Sequence, residues 1–304
     1  MKIGYHEGEI EMQRRAGTRE EAARMNRGIA GTLTGTAQAY LGTLRLIIVG
    51  SVDSERRAWA SALAGEPGFL SIESPQSLAI HAVPHPGDAL VKSMAIGAPV
   101  GLLAIDLAAR RRLRINGRAW RRPDDVITVE VEEVFGNCPK YIQSREMDQR
   151  AAESTSAVCA QAVVTRDALT PEQREWIERA DTFFIASAHP SGRADVSHRG
   201  GMPGFVRVSA ANKLVWPDYS GNGMFQTLGN LLTNPRAGLL FADFEQGRTL
   251  QLTGTARVIE DAARTAEFAG AERLVEFEVE QAIEIAGAFP RGWRFLDYSP
   301  YNPT

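Results

Sequence analysis

The feature that most constrains this chain is that it repeats itself. Trp59 to Leu70 reads WASALAGEPGFL and Asp195 to Val206 reads DVSHRGGMPGFV, with five of twelve positions identical. Further on, GLLAIDL (Gly101–Leu107) meets GLLFADF (Gly238–Phe244) at four of seven positions, and RRLRING (Arg111–Gly117) meets RTLQLTG (Arg248–Gly254) at three of seven. The three blocks are collinear at an offset of 136–137 residues, with one single-residue shift after the first. We read this pattern as a tandem duplication.

Both halves carry β periodicity. Leu250 and Leu252 alternate with Thr249, Gln251 and Thr253; Val275, Phe277 and Val279 alternate with Glu276, Glu278 and Glu280. In the first half Ile127, Val129 and Val131 alternate with Thr128, Glu130 and Glu132. A period of two marks strands with one wet face. Ile47–Val49 and Phe183–Ala186 read as more fully buried strands. Short strands separated by turn residues predict a small barrel per half. Thr170-Pro171-Glu172-Gln173 is a helix start, with a capping threonine, a first-turn proline and a glutamine that closes the box. That helix is expected to run through Trp176 and Ile177 toward Ala180, and another spans residues 9–26 with an interruption near Gly17. The expected organisation is a helical segment at 1–40, a first barrel at 41–143, a linker and helix at 144–180, and a second barrel at 181–304.

Composition limits the function classes. The 304 residues hold 34 Lys and Arg against 37 Asp and Glu, a net charge of −3, which argues against a surface devoted to nucleic acid. Two cysteines, Cys138 and Cys159, make no disulfide framework. The N-terminus lacks an apolar signal core, and the stretch Met94–Ile105 is too short for a membrane span of about 20 residues. The expectation is a soluble cytoplasmic protein. Phosphate-loop, dinucleotide-binding, zinc-protease and serine-hydrolase motifs are all absent from the sequence. His81 and His85 have a helical ligand spacing, but Pro84 and Pro86 break a helix there, so no metal site is expected.

The two halves differ where chemistry can reside. After the matched serines the first half has Ala62-Leu63 and the second has His198-Arg199. A hydroxyl, an imidazole and a guanidinium beside Gly200-Gly201 can form an anion cradle, or simply a polar turn. A second stretch, Trp216 to Asn230, is dense in glycine, amides and hydroxyls and leads into a short helix ending before Pro235. A helix N-terminus after such a loop favours a bound anion. Seven arginines lie within Arg110–Arg122. Their alternation with Leu113 and Ile115 reads as a wet strand face with a charged turn, the alternatives being a docking patch for an anionic partner or a nucleic-acid surface. Cys138 reads as a structural thiol rather than a reactive one.

These residues resemble the pyridoxamine 5′-phosphate oxidase-related FMN-binding split barrels. The resemblance lies in Phe183–Val206, Leu214–Phe244 and Arg248–Ile259, with family-like features at Gly65–Phe69, Arg111–Trp120 and Phe135–Ile142, and it spans roughly residues 40–300. It implies a mainly β fold with flanking helices, in which two tandem split barrels form a pseudo-dimer within one chain. In that family FMN sits between two barrels. The family's phosphate contacts fall here on Ser197, His198 and Arg199 and on Phe225, Gln226 and Thr227. The authentic oxidase's arginine- and lysine-rich phosphate motifs and its C-terminal arginine–histidine motif are missing, which argues against pyridoxamine 5′-phosphate as substrate.

The resemblance further implies that FMN carries the redox chemistry, with NADH or NADPH as reductant and a small molecule or redox protein as electron partner. Gly200, Tyr219, Asn222, Asn230 and Gln251 are candidates for the ring, ribityl and phosphate contacts. Trp59, Ser61, Lys140 and Tyr141 are candidates for the opposite wall. No catalytic side chain is singled out. The reading that competes with an oxidoreductase is a non-catalytic module that holds flavin or haem. One flavin per chain is expected, and the two-barrel chain could itself pair into a homodimer.

Overall fold

The computed structural model describes residues 4–94, 96–148 and 163–303. Three helices come first: α1 (Glu7–Arg15), α2 (Arg19–Asn26) and α3 (Gly35–Thr43). The first sheet contains β1 (Leu46–Val52), β2 (Ala58–Ala64), β3 (Leu70–Ser74), β4 (Ser77–Ile80), β5 (Ala98–Asp106), β6 (Arg111–Arg121) and β7 (Ile127–Gly136), with the short helix α4 (Leu90–Ser93) before β5. β8 (Ser144–Met147), β9 (Val163–Arg166) and α5 (Pro171–Arg179) connect to the second sheet. That sheet contains β10 (Thr182–Ala188), β11 (Ala194–Gly200), β12 (Arg207–Ala210), β13 (Lys213–Asp218), β14 (Arg236–Ala242), β15 (Thr249–Ile259) and β16 (Arg273–Ile285). Helix α6 (Gln226–Thr233) precedes β14, α7 (Ala262–Thr265) precedes β16, and β17 (Trp293–Asp297) pairs with β8. Among the described residues no helix is long and apolar enough to cross a membrane.

The two sheets have one topology. The first runs β2-β1-β5-β6-β7-β4-β3 and the second β11-β10-β14-β15-β16-β13-β12, with β9 added beside β16. Registers also correspond. Ser61 pairs with Val49 as Ser197 pairs with Ile185. The pairing of β6 with β7 slips at Asn116/Gly117, as that of β15 with β16 slips at Thr253/Gly254. These slips fall at equivalent positions of the aligned RRLRING and RTLQLTG blocks.

Strands at the centre are buried on both faces, which is why their sequences are continuously apolar rather than alternating. In β1 and β5, Ile47, Val49, Val100 and Leu102 fill the first barrel, while Leu46, Ile48, Leu103 and Ile105 face the second. In β10 and β14, Phe183, Ile185, Leu239 and Phe241 fill the second barrel, while Phe184, Ala186, Leu240 and Ala242 face the first. Burying each such side chain contributes about 1.5–3 kcal/mol, so the inter-barrel layer is a third core rather than a docking contact. Its approach is reciprocal. A Cβ on Gly101 would stand 2.6 Å from Asp195 Cα, and one on Gly238 would stand 2.6 Å from Trp59 Cα. Only glycine admits such backbone contact, and the two contacts are equivalent across a pseudo-twofold axis.

Two expectations change. Residues 144–166 were expected to link the barrels without a strand, yet β8 and β9 stand at either end of that stretch because each finds an open edge to pair with, β17 and β16. Residues 149–162, with Cys159, lie outside the described residues. The arginines of β6 are not all on a wet face. Arg111, Arg118 and Arg121 are exposed, but Arg112 is partly buried and Arg114 fully buried, because the outer face of β6 meets the second barrel.

Candidate functional site

A cleft opens where β6 of the first barrel meets β11 and the 217–228 segment of the second. Arg112 and Arg114 line one side, Ser197, His198, Arg199 and Gly200 another, and Asp218, Tyr219, Asn222, Phe225, Gln226 and Thr227 close it. Asn137, Cys138 and Tyr141 form the rim from the first barrel. Strand pleating places these groups. Asp195, Ser197 and Arg199 share one face of β11, and Arg112 and Arg114 share one face of β6.

The electrostatics are those of an anion site. Arg114 forms an ion pair with Asp195, and its Nε has no hydrogen-bond partner. Arg199 donates from Nη1 to Ser197 Oγ at 2.8 Å and to the His198 carbonyl at 3.0 Å, and its Nη2 stands 4.0 Å from Asp218. Asp218 is engaged more closely by Arg273, at 2.7 Å. Arg112 donates from Nε to the Cys138 carbonyl at 3.0 Å and turns Nη1 toward His198 Nδ1 at 3.3 Å. Burial pulls all three guanidiniums below their ordinary pKa. Arg114 falls to about 9, through burial first and then repulsion from Arg199 and Arg112. Burial, followed by the charges of Arg112, Arg199 and Arg145, holds His198 well below the usual imidazole range. His198 is therefore neutral, and its Nε2 is buried without a partner.

The first turn of α6 adds backbone donors. Phe225 precedes it in the left-handed conformation (φ 59°), and no side chain caps the helix. The first N–H groups of such a helix lack intrahelical partners and carry its positive end. Across the mouth, Tyr141 and Tyr219 hold their rings 5.0 Å apart, and Tyr141 Oη donates to the Ser220 carbonyl at 3.0 Å. Tyr141 itself is left-handed (φ 67°), a conformation that costs about 1–3 kcal/mol and persists only where surroundings impose it. Burial lifts both phenols, that of Tyr141 to about 12.

The N-terminal helices clamp this wall. Glu9 packs directly on Gly229 of α6, where a Cβ would stand 2.6 Å from Glu9 Cα. His6 caps α1, accepting from Gly8 N–H at Nδ1, and its Nε2 reaches Asn230 Oδ1 at 2.9 Å. Gln13 donates to the Met224 carbonyl at 3.1 Å and Thr18 to the Gly223 carbonyl at 3.2 Å. The loop that shapes the cleft is thereby fixed from behind. Glu9 is lifted to about 7 by burial, and His6 falls to about 4 by burial and then the neighbouring His189.

The structure thus brings Ser197, His198, Arg199, Gly200, Tyr219, Asn222, Gln226, Thr227 and Tyr141 to one cleft. Five other expected residues stand elsewhere. Asn230 points away from the cleft, donating to Ser187 Oγ at 3.0 Å and facing His6. Lys140 sits over the Tyr301 ring at 5.9 Å. Trp59, Ser61 and Gln251 belong to the pseudo-symmetric partner of the cleft, where Ser61 and Gln251 bond to Asp88 and Trp59 donates to Asp53 at 2.9 Å. Trp59 and Ser61 face the second barrel, and Gln251, on the second barrel, faces the first, but across the other side of the pseudo-twofold. Arg112 and Arg114 were missed. The signal was present, since two arginines two apart on a strand share a face, but the sequence does not say that this face meets another barrel.

The family model described as pyridoxamine 5′-phosphate oxidase matches residues 169–287. No curated protein matches the chain. Among solved structures, HupZ of Group A Streptococcus is 16% identical over 37% of this chain and 90% of its own, with a TM-score of 0.31. A putative pyridoxamine 5′-phosphate oxidase from Lactobacillus delbrueckii is 19% identical over 38% of this chain and 94% of its own, TM-score 0.32. An FAD binding protein from Mycobacterium smegmatis is 14% identical over 39% of this chain and 96% of its own, TM-score 0.28. Residues 169–287, with the arginine-lined cleft along their edge, are thus similar to the pyridoxamine 5′-phosphate oxidase family.

Proposed function

We propose that this chain is an FMN-binding oxidoreductase with one flavin site, the cleft between β6 and β11. The observation that carries the reading is the donor set. Among the described residues lining the cleft, three guanidiniums, from Arg112, Arg114 and Arg199, stand with one carboxylate, Asp218, which Arg273 also engages; Arg114 is paired with Asp195 behind them, and an uncapped helix N-terminus opens beside them. A phosphate monoester fits that deficit, because its oxygens take forked guanidinium donors and backbone N–H groups together. The groups that would hold it are Ser197, Arg199 and the first-turn N–H groups of α6, with Arg112 and Arg114 from the other barrel. The relative named for FAD binding and the matched oxidase family agree with a flavin.

When bound, FMN supplies hydride and single-electron chemistry. The protein's own task is to bind, orient and tune. His198 stays neutral and offers a buried N–H. Tyr141 and Tyr219 wall the mouth. The guanidiniums favour negative charge in the cleft. We place a reduced nicotinamide as hydride donor, a small molecule or redox protein as acceptor, and the cytoplasm as the setting. We also read the matching topologies as one duplicated unit, divided near residues 143 and 181.

One observation favours a second reading, a non-catalytic flavin- or haem-holding module. The imidazole and the phenols that line the cleft move away from neutrality, His198 downward and Tyr141 and Tyr219 upward, whereas Asp218 moves upward and the three guanidiniums downward. The visible spectrum of the purified protein separates the readings, recorded anaerobically before and after adding FMN and then NADPH. Flavin bands that bleach support the oxidoreductase. Bands that persist favour the module, a sharp haem-like band moves the function to tetrapyrroles, and no binding overturns the flavin reading.

A further inference from the structure

The pseudo-twofold axis that builds the cleft must also build its mate. The aligned registers identify the equivalent groups. Ser61 on β2 answers Ser197 on β11, Gln251 on β15 answers Arg114 on β6, and the N–H groups at the start of α4 answer those at the start of α6. In the mate these three donors converge on one atom, Oδ1 of Asp88. Ser61 Oγ donates to it at 2.5 Å and Leu90 N–H at 2.8 Å, while Gln251 Nε2, which donates to Ser61 Oγ at 2.8 Å, shares a longer bond with it at 3.2 Å. Asp88 is 4% exposed, Ser61 and Gln251 are fully buried, and Gln251 is itself locked by the Ala60 carbonyl at 2.9 Å and by donation from Ala89 N–H at 3.2 Å. Thr249 and Thr253, on the same face of β15 as Gln251, carry buried hydroxyls without partners. The space beyond is filled by Trp59, Ala89, Ile283 and Ile285.

We propose that the Asp88 side chain is an internal ligand: it occupies, in the mate, the oxyanion position that an external ligand takes in the open cleft. The mate is thus a second oxyanion site of carboxylate class, held shut by the chain itself. The correspondence to an external ligand rests on the flavin-phosphate reading above, and it places that anion against Ser197 and the first turn of α6, with Arg114, which is paired with Asp195, beside it. The two halves have diverged at the donor that sets charge. The open cleft keeps a guanidinium, which suits a phosphate, whereas the mate has a neutral amide, which suits one carboxyl group. Burial raises the Asp88 pKa against the pull of its donors and of His85.

Chemical rescue tests this directly. Asp88→Gly in the full chain deletes a fragment equal in size and charge to acetate. The variant should melt several degrees below the wild type in sodium chloride and regain most of that loss, saturably, in sodium acetate at equal ionic strength, because a ligand that binds only the folded state stabilises it. The wild type should not respond, and Ser61→Ala in the Asp88→Gly background should weaken the rescue at least several-fold. A variant that folds only in acetate also counts as rescue. Equal melting in acetate and chloride overturns the proposal, as does a rescue indifferent to Ser61→Ala. If Asp88→Gly folds in neither salt, a double-mutant cycle between Ser61→Ala and Asp88→Asn decides: non-additive stability losses support the proposal and additive ones overturn it. These measurements contain no flavin. Failure of the flavin reading therefore leaves the rescue result standing, and failure of the rescue leaves the open cleft untouched.

Discussion

Arg199 is where the account is most exposed at the scale of single residues. Its Nη1 is held by Ser197 Oγ and the His198 carbonyl, so the guanidinium is fixed before any ligand arrives. A charge-assisted hydrogen bond contributes about 1.5–3 kcal/mol net, so Arg199→Ala should weaken FMN binding roughly 10- to 150-fold. Quenching of flavin fluorescence on titration reads this, and an unchanged affinity would remove Arg199 from the site. Arg114→Met should cost as much flavin affinity and also leave Asp195 buried without its cation, lowering the melting temperature as well. Ser197, His198 and Arg199 were legible in the sequence because the repeat supplied an apolar twin against which their polarity stood out. Arg112 and Arg114 were not. Their partner is 80 residues or more away, at Asp195 and His198, and only the packing of one barrel on the other turns that strand face inward.

Elements were easier to read than contacts. The helix after Thr170 forms with the capping box its residues specify, Thr170 Oγ1 accepting from Gln173 N–H at 3.2 Å and the Gln173 side chain accepting from Thr170 N–H at 3.0 Å. The break near Gly17 is real, with that glycine at φ +69° between α1 and α2. What the pattern could not convey is that α1 lies on α6. There Gly229→Ala would press a methyl 2.6 Å from Glu9 Cα, and overpacking of this kind costs about 1–3 kcal/mol. The variant should melt several degrees lower and hold flavin more weakly, since α6 and its loop lose their backing.

The same junction sets a pH dependence. Folding keeps His6 neutral down to about pH 4, so its contribution is fully present above 6.5 and is lost as pH falls through that interval. Glu9 acts in the opposite sense. Its folded pKa of about 7 exceeds the ordinary 4.5, so its contribution is present below 4.5 and lost as pH rises toward 7. Between 4.5 and 6.5 the two oppose each other. Glu9→Gln should therefore lose stability more steeply than the wild type on acidification across that window, and parallel melting curves would contradict this.

For the whole molecule, one topology used twice yields two unlike clefts. The shared strand order of the two sheets was legible from three short blocks, because glycines at close approaches and at register slips tolerate little else. Which cleft stays open was legible only through the contrast of His198-Arg199 with Ala62-Leu63, and the part played by Asp88 was not legible at all. The asymmetry makes a prediction about the two reciprocal glycines. Gly101→Ala and Gly238→Ala both intrude on the opposite barrel, each at 2.6 Å from a Cα and Gly238 closer still to the Ala58 carbonyl oxygen, and both should lower the melting temperature. Gly101 abuts Asp195 at the open cleft, whereas Gly238 abuts Trp59 at the closed one. Flavin affinity should fall several-fold more in the first variant, and equal losses would mean that both clefts bind.

The central claim is that the cleft between β6 and β11 holds flavin and its mate does not. Equilibrium titration of the full chain with FMN, with bound flavin counted per polypeptide by absorbance after removal of the free ligand, tests it most directly. One FMN per chain is expected, released by Arg199→Ala and retained in Asp88→Gly. Two flavins per chain, none, or a single flavin indifferent to Arg199 would contradict it.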